Sequence, residues 1–252
     1  MHSFGIGLTK SQLAGILVFA ALGFEPASET RIVNEIRRIS PNGGTAFRDA
    51  CIFGCSLQIK LANALNKEGW LKNWYFVQIL LTDGEDTSSK TSLQDCAGCL
   101  YLLSQAIPEQ FCRTILIGVE LEGEAKETLQ ALQTVGNKTT ELYNINSMNI
   151  EEIFDNIQVS LGILTQTALL GIKGQNEGEG AIIAMQKKRP VITVGVKNFV
   201  VLFNLDISGS MAGSKWRQVV TAVDRFISNL AKGMNFVNCI VFNSDVKALG
   251  SR

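Results

Sequence analysis

Four near-continuous apolar runs punctuate the 252-residue chain: Trp74–Thr82 (WYFVQILLT), Phe111–Val119 (FCRTILIGV), Phe199–Leu205 (FVVLFNL) and Phe236–Phe242 (FVNCIVF). Runs of this length without polar alternation suit strands buried on both faces of a parallel sheet. Between them the apolar positions recur at helical spacing. Thr45 to Leu65 does so through Phe47, Ala50, Cys51, Gly54, Cys55, Leu57, Ile59, Leu61, Ala62 and Leu65. Glu151 to Leu164 repeats Ile153, Phe154, Ile157 and Leu161, and Lys215 to Leu230 repeats Trp216, Val219, Val223, Phe226 and Leu230. Alternation of such strands and helices predicts an α/β fold, a doubly wound and mostly parallel sheet with helices on both faces. Ligands of such sheets bind at the carboxyl ends of the strands.

One stretch breaks the pattern. Gly171–Gly180 (GIKGQNEGEG) is glycine-rich and polar, and it reads as an exposed linker that limited proteolysis should cut first. Protection there, with cleavage elsewhere, would contradict that reading.

Composition narrows the function. With 46% hydrophobic and 18% charged residues, the chain can bury a core. Lys+Arg and Asp+Glu are equal at 23 each, so no basic surplus is available to hold a phosphate backbone, and nucleic acid is not an expected partner. No apolar run reaches the roughly 20 residues that a membrane span needs. The one histidine, His2, argues against any reaction that needs a histidine base, and no phosphate-loop signature occurs. Cys51 and Cys55 lie one helical turn apart, and Cys96 and Cys99 form a C-x-x-C. A four-thiolate zinc site is conceivable, but small apolar residues packed on helices are the preferred reading.

Three segments carry chemistry. Asp206-Ile207-Ser208-Gly209-Ser210-Met211 follows an apolar run and precedes a helical one, supplying a carboxylate and two hydroxyls on one turn. Oxygen-only ligands of this kind suit a hard cation such as Mg²⁺. Pro41-Asn42-Gly43-Gly44-Thr45 makes a sharp loop, with Thr45 at a helix start, where its ordinary role is an N-cap. Leu81-Thr82-Asp83-Gly84 ends another apolar run, and Asp83 alone would read as a turn former.

Together these segments resemble the metal-ion-dependent adhesion site of von Willebrand factor type A domains. In that family Asp-x-Ser-x-Ser follows the first strand, a Gly-Gly-Thr loop lies in mid-domain and Thr-Asp-Gly follows the fourth strand. The resemblance implies metal ligands at Asp206, Ser208, Ser210, Thr45 and Asp83, a Rossmann-like fold and a helix over Ile32–Arg38. It also implies strands within AGILVFAALGF. Lys10 and the apolar Leu13–Phe24 otherwise have the outline of a weak signal peptide. A buried strand at Gly15–Ala20 is therefore preferred.

The order departs from the family. Residues 1–165 resemble the domain from its second strand to its last helix, and 166–198 form a linker. Residues 199–252 resemble the first strand, first helix and second strand, so that the second-strand-like segment appears twice, as GILVFA and as NCIVFN, a redundancy that favours a slice as the evolutionary origin. The chain is either a circular permutation or a slice across two tandem modules. If the halves assemble, Phe199–Leu205 should lie in the sheet centre beside the strand that ends at Asp83. The expected function is non-enzymatic: a Mg²⁺-dependent protein-binding module with a coordination position open to a partner's acidic side chain. The alternative is a structural or incomplete module whose metal site is never assembled.

Overall fold

The computed structural model describes residues 17–163 and 198–250. Its strands are β1 (Glu25–Pro26), β2 (Trp74–Thr82), β3 (Cys112–Val119), β4 (Thr140–Ile145), β5 (Asn198–Asp206), β6 (Phe236–Phe242) and β7 (Val246–Leu249). Its helices are α1 (Ile32–Ile36), α2 (Phe47–Lys67), α3 (Leu93–Ala106), α4 (Gly123–Gly136), α5 (Ile150–Ser160) and α6 (Ser214–Leu230).

The strands form one sheet in the order β1-β6-β5-β2-β3-β4, with β7 also paired to β6. The five long strands β6, β5, β2, β3 and β4 are mutually parallel, and only the short β1 and β7 run antiparallel. The strand at Phe199–Leu205 does lie beside the one ending at Asp83: β5 pairs with β2 from Trp74↔Asn198 to Leu81↔Leu205. The two blocks of sequence therefore share a single sheet.

Every residue of β2, β3 and β6 is buried, in keeping with their predominantly apolar composition. Alternate residues feed two cores. Val77, Ile79, Leu81, Val201, Phe203 and Leu205 pack against α1, α5 and α6. Phe76, Leu80, Val200, Leu202 and Ile240 pack against α2, α3 and α4. Helix α6 lays down its stripe Trp216, Val219, Val223, Phe226 and Leu230 on the first face. Helix α3 starts at a capping box in which Ser92 accepts from the Asp95 amide while the Asp95 carboxylate accepts from the Ser92 amide.

The buried strand expected at Gly15–Ala20 is not formed: residues 17–21 are helical. The place beside β5 belongs to NCIVFN, which makes β6. Apolar composition alone does not distinguish a short helical turn from a buried strand, and here only Phe19 of the turn is buried. Phe19 instead stacks on Phe236 at 4.1 Å and meets Trp74 at 4.7 Å. The linker at Gly171–Gly180 lies outside the described residues.

All six cysteines are free, and five are buried. Cys51, Cys55, Cys96 and Cys112 sit in the core beneath α2 and α3, where hydrogen bonds with the Cys55 and Cys96 thiols, and then burial, push the Cys51 thiol well up, and burial pushes Cys112 up to about 12. Thiols in that state pack as small apolar groups.

Phe203 anchors the centre. It is fully buried between Phe154 of α5 and Phe226 of α6, with ring centroids 6.5 and 5.5 Å away. Phe203→Ala should cost about 3–5 kcal/mol, read as a lowered urea midpoint in equilibrium unfolding. A loss below about 1 kcal/mol would mean that β5 does not occupy the core.

Candidate functional site

Strands β5 and β2 are neighbours, yet the chain leaves them in opposite directions. From β5 it crosses to β6 by way of α6 on one face, and from β2 to β3 by way of α3 on the other. This is a topological switch point, and the crevice at the carboxyl ends of such a strand pair is where open α/β sheets bind ligands. Asp206 ends β5 and Asp83 directly follows β2, so both carboxylates stand at that crevice.

The Asp206 side chain is fully buried. Its Oδ2 accepts from Thr82 Oγ1 at 2.6 Å and its Oδ1 from the Ser208 amide at 2.8 Å. Ser208 Oγ lies 2.9 Å from Ser210 Oγ, which donates to Asp83 Oδ1 at 2.7 Å. Asp83 Oδ2 accepts from Lys215 Nζ, also at 2.6 Å. Lys215 approaches Glu120 Oε2 at 3.5 Å, and Ser147 Oγ donates to Glu120 Oε1 at 2.7 Å. Glu120 holds a left-handed φ of 58°, an uncommon state for a side-chain-bearing residue, where β3 ends at the same edge.

The Gly-Gly-Thr loop is pinned against the Asp-x-Ser-x-Ser loop by backbone bonds. The Asn42 amide donates to the Ile207 carbonyl at 2.8 Å and the Gly209 amide to the Gly43 carbonyl at 3.1 Å. Gly43, at φ +81°, supplies a turn that other residues rarely adopt. Thr45 is not the N-cap of α2; Ala46 occupies that position and makes no side-chain cap. The orphan amides of the helix start are met from the loop after β2, Arg48 donating to Asp86 Oδ2 at 2.8 Å and Asp49 to Ser89 Oγ at 3.1 Å. The Thr45 amide donates to Thr87 Oγ1, and its carbonyl accepts from the Thr87 and Ser88 amides. Its hydroxyl is left facing the crevice: a methyl group placed on Gly84 would lie 3.7 Å from Thr45 Oγ1 and 3.8 Å from Ser210 Oγ.

All five residues picked out from the sequence thus converge on one edge. The sequence assigned no role to Lys215, Thr82, Glu120 or Asp86, whose contacts with Asp83, Asp206, Ser147 and Arg48 are made across the fold. Two left a trace: Thr82 within Thr-Asp-Gly, and Lys215 as a cation at the start of the helix that follows Asp-x-Ser-x-Ser.

The donor set is entirely oxygen, with two carboxylates and three hydroxyls, which is the chemistry of a hard cation. Among the described residues no three His, Cys, Asp or Glu side chains group as a metal holder, so the two carboxylates would carry the charge. Burial, with a smaller push from Asp83, lifts Asp206 to about 6 against the hydrogen bonds from Thr82 and Ser208. Burial draws the Lys215 ammonium down, but the Asp83 bond and charge, aided by Glu120, outweigh it and leave its pKa raised.

Comparison of the chain with protein-family models, curated proteins and solved structures gave no match.

A carboxyl with a raised folded pKa takes up its proton more readily in the native state than in the unfolded chain. Its contribution to stability is therefore largest below pH 3.8 and is lost as pH rises through about 6. In metal-free buffer the wild type should lose stability over this range, on the order of 2–3 kcal/mol, and Asp206→Asn should be flatter. Chemical unfolding at several pH values checks this, and parallel profiles for the two proteins would contradict it.

Proposed function

We propose that this chain is a protein-binding module of the von Willebrand factor type A kind, built in permuted order and dependent on Mg²⁺ or another hard divalent cation. The observation that carries this reading is the convergence of Asp206, Ser208, Ser210, Thr45 and Asp83 at the switch-point crevice, from three separate loops. Asp206 and Asp83 would neutralise the cation, while the three hydroxyls orient toward it. The cation's contribution is a coordination position open to an acidic side chain of a partner. The protein residues exclude bulk water from the carboxylates and fix the loops in advance, which lowers the ordering cost of binding. No membrane-crossing helix exists among the described residues, and the partner is taken to be a protein.

A second reading has its own observation. Lys215 already contributes a positive charge at Asp83, 2.6 Å away, and the hydroxyls close a chain of hydrogen bonds from Asp83 to Ser208. On this reading the edge is a structural ion pair without a cation, and the chain is a structural or incomplete module.

Calorimetric titration of the monomer with Mg²⁺ separates the two. The module reading expects saturable binding, abolished by Asp206→Ala, weakened roughly tenfold or more by Thr45→Ala and strengthened by Lys215→Met, which removes a competing cation. No heat of binding in the wild type, with folding intact by circular dichroism, would leave the ion-pair reading standing. Binding that Asp206→Ala removes but Thr45→Ala leaves unchanged would remove the Gly-Gly-Thr loop from the site.

A further inference from the structure

Away from the candidate site, the core beneath α2 contains an unusual amount of polarity. Gln58 of α2, Gln78 of β2, and Asn204 of β5 are all fully buried. The registers Gln78↔Leu202 and Leu80↔Asn204 set the last two on one sheet face as diagonal neighbours on adjacent strands. Gly54 of α2 lies directly over them. A methyl group there would come within 2.6 Å of Gln78 Nε2 and 2.7 Å of Asn204 Nδ2, so only glycine lets the helix sit this close. Gln58 is one helical turn further along.

Two contacts set the orientation in which the glutamine amides lie. Gln58 Nε2 donates to the Val77 carbonyl at 3.1 Å, which leaves Oε1 as an acceptor. Gln78 Oε1 accepts from the Cys55 thiol at 3.7 Å, which leaves Nε2 as a donor. Gln58 Oε1, Gln78 Nε2 and both amide atoms of Asn204 have no hydrogen-bond partner among the described residues. A buried polar atom without a partner costs about 1–3 kcal/mol, so four together are too expensive to persist. The unmet set comprises two donors and two acceptors. A cation would satisfy only the oxygens and an anion only the N–H groups, whereas water donates two bonds and accepts two.

We infer that Gln58, Gln78 and Asn204 hold an internal water that bridges α2 to β2 and β5. It ties the helix that begins just after Thr45 to the strands that lead to Asp83 and Asp206, and it does so whether or not the edge binds a cation. Asn238, whose Oδ1 is also without a described partner, lies on the same sheet face across Leu202.

The test uses the native protein in solution. Nuclear Overhauser measurements should show cross-peaks between water and the side-chain NH₂ protons of Gln78 and Asn204, with the sign of a long-lived bound water. Gln58→Met keeps the volume but removes the acceptor on the helix side, and in it these cross-peaks should disappear. Absence of the cross-peaks in the native protein overturns the inference, because the amides would then be bonding to one another directly. Cross-peaks that persist unchanged in Gln58→Met overturn it as well, since the water would not be held by this set.

Discussion

The parallel pairing of β5 with β2 is the contact on which the rest of the structure depends. It runs from Trp74↔Asn198 to Leu81↔Leu205 and places the C-terminal block of the chain in the middle of a sheet whose other half is N-terminal. Without β5, both β2 and β6 would present long, flat, apolar edges, a state that sheets avoid. The pairing also sets the geometry of the candidate site. A register shift of one residue would exchange the residues that β5 presents to the two cores and carry Asp206 away from Thr82, the partner of its Oδ2.

That edge is an electrostatic compromise. Two carboxylates, Asp206 and Asp83, stand close enough for the charge of one to raise the pKa of the other. Thr82, Ser208 and Ser210 supply hydrogen bonds, and Lys215 supplies the charge. A proton on Asp206, the Lys215 ammonium and a divalent cation would each relieve the same excess of negative charge. They are therefore competitors, and the chemistry of the edge at neutral pH is decided by which binds most strongly. The loops that hold the carboxylates are stiffened from behind: Asp86 collects the Arg48 and Ser89 amides, the Arg48 guanidinium and the Ser89 hydroxyl. Asp49, with the Lys90 and Thr91 amides and the Thr91 hydroxyl on it, is held below the ordinary carboxylate range: those bonds outweigh its burial.

Much of this was legible in the chain. The apolar runs at Trp74–Thr82 and Phe236–Phe242 coincide with β2 and β6, because a strand buried on both faces is dominated by apolar residues and lacks polar alternation. The helical periods of α2, α5 and α6 are equally direct, because a stripe at 3.6-residue spacing has one stable way to meet a sheet. The ligand-type residues could also be picked out, since Asp-x-Ser-Gly-Ser, Gly-Gly-Thr and Thr-Asp-Gly are local patterns.

Three things were decided only by the tertiary structure. Whether GILVFA or NCIVFN would lie beside β5 depended on competition for one place in the sheet, and an apolar run this short suits either a buried strand or a helical turn of which only Phe19 is buried. Thr45 was freed from capping because Asp86 and Ser89, from a loop some forty residues on, satisfied the helix amides instead. Lys215 became the partner of Asp83 across 132 positions of sequence. Local sequence sets which conformations a segment prefers and which atoms it offers. Which of those atoms meet is fixed by strand order and register, which are properties of the whole sheet.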